Sequence, residues 1–390
     1  MLALRLARGS HPLVLLRRLC VAAAAAGTGF LLLSTIGHAA GHPAAVEESL
    51  VRLLWCAAPL AATAQFAVST ARTDPAARLQ RGMTAAGLGP LRLTLLATAS
   101  TALTCVLGVL LALFAFFRLR GDLGGPAGAT SLGIDSDLLG AGHPVPLVGA
   151  LLLLALVPLT AAAATAVSLR PRDETGTADA EVRPRTVPPS GLPWGIALAA
   201  AGLAIEAYTS PGTAHSHGLL PLPGRLIGSP PGVLAGWALS AFGLVLAGPG
   251  LVHLCGRLLC AGRPGALRLL AGRVLQEDSH RLGRPLGVLC AVASAAYAAV
   301  KVYEASPTRP FGPLTAVGAA VVLACVTASA LTAALESRSA RSHTTAALRR
   351  LGASASALHR AAALRTLALL VVLAPLTWTV AEMATLPLVH

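Results

Sequence analysis

The stretch Leu91-Arg-Leu-Thr-Leu-Leu-Ala-Thr-Ala-Ser-Thr-Ala-Leu-Thr-Cys-Val-Leu-Gly-Val-Leu-Leu-Ala-Leu-Phe-Ala-Phe-Phe117 decides the fold class. It contains a single charged side chain, that of Arg92, near one end. A helix of about 20 apolar residues crosses the hydrocarbon core of a bilayer, which is roughly 30 Å thick. Because that core offers no water to the backbone, a spanning segment must satisfy its own hydrogen bonds, as a helix does. The stretch therefore predicts a transmembrane helix.

Eight further segments have the same character, and the fifth span along the chain is the shortest. They are Leu13 to Ile36, Leu50 to Ala71, Pro146 to Ser168, Pro193 to Tyr208, Gly232 to His253, Pro285 to Val302, Leu314 to Leu335 and Leu364 to Leu388. Of the 390 residues, 55% are hydrophobic and 12% are charged, whereas a soluble domain carries roughly 25% charged residues. The sequence predicts an all-α, polytopic membrane protein with about nine transmembrane helices.

The basic residues are distributed unevenly between alternate loops. The net charge is +14, and 24 of the 30 basic residues fall in the loops on one side of the predicted spans. The other side holds only Arg52, Arg118, Arg120, Arg225, Lys301 and Arg309. Since cytoplasmic loops are enriched in lysine and arginine, we expect a multi-pass protein of the cell membrane with a cytoplasmic N-terminus and an outside C-terminus. This asymmetry accounts for the positive charge without a nucleic-acid partner.

An internal repeat divides the chain into two related halves. Ala3-Leu-Arg-Leu-Ala7 is similar to Ala266-Leu-Arg-Leu-Leu270, and the loop 78–92 corresponds to the loop 345–359 with Gly87 and Gly352 in register. Each loop is interpreted as an amphipathic cytoplasmic helix, a glycine in the left-handed C-cap conformation, and a second short helix before the next span. The predicted organisation is a first half (1–168), a cytoplasmic linker (169–192), two linking spans (193–255) and a second half (256–390).

The segment Ala347-Leu-Arg-Arg-Leu-Gly-Ala-Ser-Ala-Ser-Ala-Leu-His-Arg360 resembles the loop of FtsX-like ABC transporter permeases, in which a basic, leucine-rich helix runs into Leu-Gly-Ala-Ser. The segment 263–281 also resembles the interfacial helix before the first span of actinobacterial members. The resemblance implies the membrane subunit of a type VII ABC system, whose cytoplasmic loops are coupling helices that dock on a separate ATPase dimer. It assigns ATPase contacts to Arg81, Gly87, Arg349, Arg350, Gly352 and His359.

This chain departs from the family pattern in two respects. Family domains have four spans, whereas the second half has three, and no large extracytoplasmic domain fits the short outer loops. The sequence also has no Gly-x-x-x-x-Gly-Lys-Ser/Thr motif, so a P-loop cannot hydrolyse ATP here. We expect neither an enzyme nor a bound cofactor or metal, and interpret the outer histidines His38, His42, His215 and His217 as ordinary loop residues.

Two acidic residues lie within predicted spans and are candidates for an intramembrane role, because charge is costly in hydrocarbon. Glu206 and Glu382 are both placed toward outer ends, where they could reach water. Three functions remain open. The first is a permease that couples ATP hydrolysis to export or extraction of an amphipathic lipid or peptide. The second is a non-transporting scaffold that relays ATPase state to a sensor kinase or cell-wall enzyme, and the third is an ATP-independent secondary transporter.

Overall fold

A computed structural model describes residues 12–44, 46–73, 90–121, 146–169, 191–209, 220–222, 226–229, 231–263, 265–305 and 313–389. The helices in these ranges are α1 (Pro12–Gly41), α2 (Val46–Trp55), α3 (Ala57–Thr73), α4 (Pro90–Arg120), α5 (Leu147–Leu169), α6 (Gly191–Thr209), α7 (Pro231–Cys260), α8 (Ala266–Glu277), α9 (Ser279–Ala305), α10 (Pro313–Ala340), α11 (Ser342–Arg350) and α12 (Ala355–Val389). Two short strands, β1 (Leu220–Leu222) and β2 (Leu226–Ser229), form a two-stranded sheet. Apart from this small sheet, the regular structure of the described residues is helical, which confirms the predicted all-α class.

Nine segments in the described ranges are long and apolar enough to cross a membrane, as predicted. They are Val14–Gly41, Arg52–Arg72, Thr94–Arg120, Leu147–Leu169, Gly191–Tyr208, Ala235–Cys260, Ser279–Lys301, Leu314–Ala340 and Ala355–Leu386. Large apolar side chains remain exposed along them, for example Leu152 in α5 and Leu370 in α12. Since spans present their apolar side chains to lipid tails, this exposure fits a multi-pass membrane protein.

The second span differs from the prediction because it begins as a separate short helix. The segment predicted to start at Leu50 is interrupted at Cys56, between α2 and α3. Pro59 explains the interruption, since a proline ring clashes with the carbonyl group four residues before it, here that of Trp55. Pro59 itself lies in the first turn of α3, where its missing N–H group is not required.

The first compact unit comprises Met1–Asp173, Pro221–Arg225 and Phe311–Ser329. Its core contains Leu32, Phe66 and Phe116, all at most 2% exposed, from three different helices. The hydroxyl groups of Thr28 in α1 and Thr63 in α3 are hydrogen-bonded at 2.8 Å within this core. The N-terminal part of α10 belongs to this unit, although it follows α9 in sequence.

The second compact unit comprises Glu174–Leu220, Leu226–Pro310 and Ala330–His390. Helix α7 packs against α6, α8 and α9 in this unit. The backbones of α6 and α7 approach closely, because a β-carbon added at Gly202 would lie 2.6 Å from the carbonyl oxygen of Gly236. Only glycine permits such an approach. The pair thus forms a tight helical hairpin.

Candidate functional site

A buried ion pair joins two helix corners on the side of the second unit where α8 ends and α11 begins. Asp278 lies at the corner between α8 and α9, and Arg341 lies at the corner between α10 and α11. Their side chains form a salt bridge and are only 10% and 18% exposed, respectively. We call this pair, together with Ser337, the corner clamp.

Ser337 and the local backbone complete the corner clamp. The Ser337 hydroxyl donates to Oδ2 of Asp278 (2.8 Å), and Nε of Arg341 donates to the carbonyl oxygen of Ser337 (3.1 Å). Nη2 of Arg341 contacts both Asp278 Oδ2 and Ser337 Oγ. The backbone N–H of Asp278 closes α8 by donating to Val274, and its carbonyl oxygen accepts from Arg281 in the first turn of α9. The backbone of Asp278 is therefore held between α8 and α9, and its carboxylate is paired with the α10–α11 corner.

The energetics of burial make the corner clamp a firm connection. Removing one partner of a buried pair leaves an uncompensated charge and costs about 3–5 kcal/mol. The two residues are 63 positions apart in sequence. The pair therefore connects the α8–α9 corner to the α10–α11 corner, which are distant along the chain. Displacement of the α10–α11 corner must either carry the α8–α9 corner with it or break the pair.

A hydrogen-bonded turn follows α11 and is organised by Gly352. Its φ angle is +95°, in the left-handed region that favours glycine. The N–H of Ala353 donates to the carbonyl oxygen of Leu348, and the N–H of Gly352 donates to that of Arg349, both at 3.0 Å. These two bonds define a Schellman motif. The left-handed conformation predicted for Gly352 is confirmed.

The prediction of a separate short helix after Gly352 is wrong, because α12 continues without a break from Ala355 to Val389. No glycine or proline occurs between Ala355 and Ala374, so nothing in the sequence ends the helix before the span. The hydroxyl of Ser354 accepts from the N–H of Ala357 (3.3 Å) and caps the first turn of α12. We call residues 342–354, which comprise α11 and this turn, the elbow.

The elbow presents basic and apolar groups at its tip. Arg349 and Arg350 are exposed in the last turn of α11, and Leu351 beside them is 84% exposed. His359 is also exposed, and its Nδ1 donates to the carbonyl oxygen of Ala355 (2.8 Å), one turn back along α12. Two cations and one large apolar side chain are therefore grouped at the tip of the elbow.

Arg81 and Gly87 lie outside the described residues, so their contact role remains a prediction. The structure brings Arg349, Arg350 and Gly352 together on the elbow and places His359 on the following helix. Sequence reasoning missed Asp278, Arg341 and Leu351. Asp278 stands between two basic segments of the sequence, and that position could have marked it as a candidate. Leu351 has no distinguishing feature in the sequence, because leucine is abundant throughout the chain.

Glu206 is fully buried in the second unit, contrary to the expectation that it reaches water. Its Oε1 accepts a hydrogen bond from Nε1 of Trp237 in α7, at 2.5 Å. The close approach of α6 and α7 at Gly236 encloses the carboxylate. Trp237 thus has a polar partner inside the second unit.

Glu382 is half-buried near the C-terminal end of α12. Its Oε1 accepts hydrogen bonds from the hydroxyl of Tyr297 (2.8 Å) and from Nε1 of Trp378 (3.1 Å). The ammonium group of Lys301 lies 5.7 Å from the centroid of the Tyr297 ring. An acid, a cation and two amphipathic aromatic rings are therefore gathered at one end of α9 and α12.

No metal cluster of three or more histidine, cysteine or acidic residues occurs in the described ranges. The rings of His38 and His42 stack with centroids 4.4 Å apart, while His215 and His217 lie outside the described residues. Comparison of the chain with family models, curated proteins and solved structures gave no match.

Proposed function

We propose that the chain is the membrane-spanning permease subunit of an ABC transporter, in which a separate cytoplasmic ATPase drives export or extraction of an amphipathic lipid or peptide. The observation that carries this proposal is the elbow held by the corner clamp. The elbow offers an exposed contact surface, and the corner clamp gives a physical link from that surface to α9.

The tip of the elbow suits an acidic docking surface with an apolar pocket. Guanidinium groups form bidentate, charge-assisted hydrogen bonds with carboxylates, so Arg349 and Arg350 would pair with acidic side chains of the ATPase. Leu351 would enter a pocket between them, as central apolar anchors do in protein interfaces. The Schellman turn at Gly352 fixes the direction in which these three side chains project.

Two routes would carry motion from the elbow into the membrane. The first is covalent, because α12 begins directly after the turn and continues through the bilayer as one helix. The second is the corner clamp, which connects Arg341, directly before the elbow, to Asp278, directly before α9. Closure of the ATPase dimer would move the elbow, and both α9 and α12 would follow as rigid bodies.

Co-purification with the candidate ATPase tests the proposal. The wild type should retain the ATPase in membranes solubilised in mild detergent, and the double variant Arg349→Glu, Arg350→Glu should lose it by at least about tenfold through like-charge repulsion. Arg284→Glu, an exposed charge change at the start of α9, is the matched control and should keep binding. If no ATPase accompanies the wild type, the permease proposal is wrong.

The buried carboxylate of Glu206 favours one alternative, a secondary transporter that works without ATP. An acid enclosed within a membrane span is a common feature of ion-coupled transport. Under that alternative, Glu206→Gln would abolish transport in ATP-free vesicles while Arg349→Glu, Arg350→Glu would leave it unchanged. The permease proposal predicts that Arg349→Glu, Arg350→Glu loses more transport activity than Glu206→Gln, and that the transport lost is ATP-dependent.

A scaffold that relays the state of an ATPase is distinguished from a permease by substrate movement. Both functions require the elbow to bind the ATPase, so co-purification alone does not separate them. Reconstitution of the chain with its ATPase in vesicles does separate them, because only a permease should move lipid or peptide when ATP is added.

A further inference from the structure

Four side chains at the C-terminal ends of α9 and α12 form a compact polar cluster that the proposed ATPase coupling does not use. They are Tyr297, Lys301, Trp378 and Glu382, which we call the headgroup cluster. Tyr297 and Trp378 both donate to Oε1 of Glu382, and Nε1 of Trp378 also lies 3.3 Å from the Tyr297 hydroxyl. Lys301 is the only lysine in the chain.

The charges of the headgroup cluster are incompletely satisfied by the described part of the protein. Both neutral donors converge on Oε1, whereas Oε2 of Glu382 receives no hydrogen bond from the described residues. Lys301 contacts the Tyr297 ring and forms no ion pair with a described acidic residue. Among the described residues, Oε2 of Glu382 and the ammonium group of Lys301 thus both retain capacity for a ligand.

The position of the headgroup cluster in its helices matches the expected level of lipid headgroups. Tyr297, Trp378 and Glu382 belong to segments long and apolar enough to span a membrane, near the ends that the charge pattern predicts to lie outside. Trp378 is 57% exposed and Lys301 is exposed. Tryptophan and tyrosine concentrate at the level of lipid headgroups, where one edge is wet and the other apolar. These positions and exposures fit a ligand at the level of the lipid headgroups.

We propose that the headgroup cluster binds the zwitterionic headgroup of an ethanolamine phospholipid. Oε2 of Glu382 accepts a charge-assisted hydrogen bond from the lipid ammonium group, and Lys301 pairs with the lipid phosphate. Tyr297 and Trp378 hold the carboxylate in place and face the glycerol region. The two protein charges are opposite in sign, as are the two charges of this headgroup.

Other headgroups match less well. A choline headgroup has the same charges but no N–H group, so it cannot donate to Glu382. A glycerol headgroup has the phosphate alone, so the carboxylate would be left without a cation and would repel the lipid. The site involves no ATPase, and it therefore goes beyond the proposed permease function and does not depend on it.

Native mass spectrometry of the full chain released from nanodiscs tests this inference. Nanodiscs with equal amounts of phosphatidylethanolamine, phosphatidylcholine and phosphatidylglycerol should yield a wild-type chain that keeps phosphatidylethanolamine preferentially. Glu382→Gln should lower the preference for the ethanolamine lipid over the choline lipid on the order of tenfold, because a hydrogen bond to a charged group is lost. Glu304→Gln, an exposed acid one turn beyond Lys301, is the matched control and should change nothing.

A second variant guards against misfolding of the first. Lys301→Gln changes an exposed side chain that forms no hydrogen bond in the cluster, so folding should be unaffected while retention of the ethanolamine lipid falls. The inference is overturned if the wild type shows no preference for this lipid, or if the preference survives Glu382→Gln in protein with a normal melting temperature. Stronger retention of phosphatidylglycerol, dependent on Lys301 alone, would also overturn it.

Discussion

Replacing Arg341 by glutamine should destabilise the second unit more than any single change on the exposed surface of the elbow. The substitution leaves the Asp278 carboxylate about nine-tenths buried, with Ser337 as its remaining side-chain donor. Breaking a buried pair in this way costs about 3–5 kcal/mol. At about 2–4 °C per kcal/mol for a unit of this size, the melting temperature should fall by roughly 6–20 °C.

Neutralising the orphaned acid should recover much of that loss. In the double variant Asp278→Asn, Arg341→Gln, no buried charge remains, and a neutral amide can still accept from Ser337. We expect the double variant to be about 2 kcal/mol more stable than Arg341→Gln alone, a coupling within the range measured for residues in contact. Asp278→Asn alone should cost less than Arg341→Gln, because the long arginine side chain can move its charge toward water.

Thermal unfolding in detergent, followed by a thiol-reactive dye, measures these differences. Cys255 and Cys290 are 2% and 6% exposed in the second unit and become reactive when it unfolds. Cys20 is exposed and is replaced by serine in every protein to remove background. Arg350→Gln, at the exposed tip of the elbow, is the control and should shift melting by no more than about 2 °C. The reasoning is refuted if the double variant melts at or below the temperature of Arg341→Gln.

Three further predictions concern packing, the turn and topology. Gly202→Val should destabilise the α6–α7 hairpin by more than about 3 kcal/mol, since the added side-chain atoms would clash with the backbone of Gly236. The control is Gly149→Ala, whose β-carbon would meet only ordinary contacts, and it should leave the melting temperature nearly unchanged in the same assay. Gly352→Ala should cost about 1–2 kcal/mol for its left-handed backbone, and equal stability of the alanine protein would contradict the turn. When fused to the C-terminus, alkaline phosphatase should be active and green fluorescent protein should be dark. When the chain is cut after Gly262 and the same reporters are fused there, alkaline phosphatase should be inactive and green fluorescent protein should be fluorescent. The same result at both positions would refute nine spans.

The helices that cross the membrane could be predicted because one physical requirement governs them. A segment such as Leu91 to Phe117 is too apolar for a soluble surface, so apolar length alone predicted the nine membrane-length helices found in the described residues. The left-handed turn at Gly352 was predictable for a similar reason, since a glycine after a basic amphipathic helix is the usual C-cap. Local chemistry determines both features.

The polar contacts could not be predicted because they depend on how distant helices meet. Asp278 and Arg341 are brought together by packing of the second unit, and sequence order carries no information about that meeting. Glu206 was expected near water on account of its position in its span, but the glycine contact between α6 and α7 encloses it. Pro59 was the one local signal overlooked, and it explains the break between α2 and α3.

Site-specific photocrosslinking from the tip of the elbow tests the central claim most directly. A photoreactive phenylalanine analogue at position 351 replaces the most exposed leucine of the elbow, and the same analogue at position 208, exposed at the predicted outer end of α6, is the control. Irradiation of cells that also produce the candidate ATPase should yield a covalent adduct with it from position 351 and none from position 208. Absence of the adduct at 351 in properly inserted protein, or equal adducts at both positions, would contradict the account.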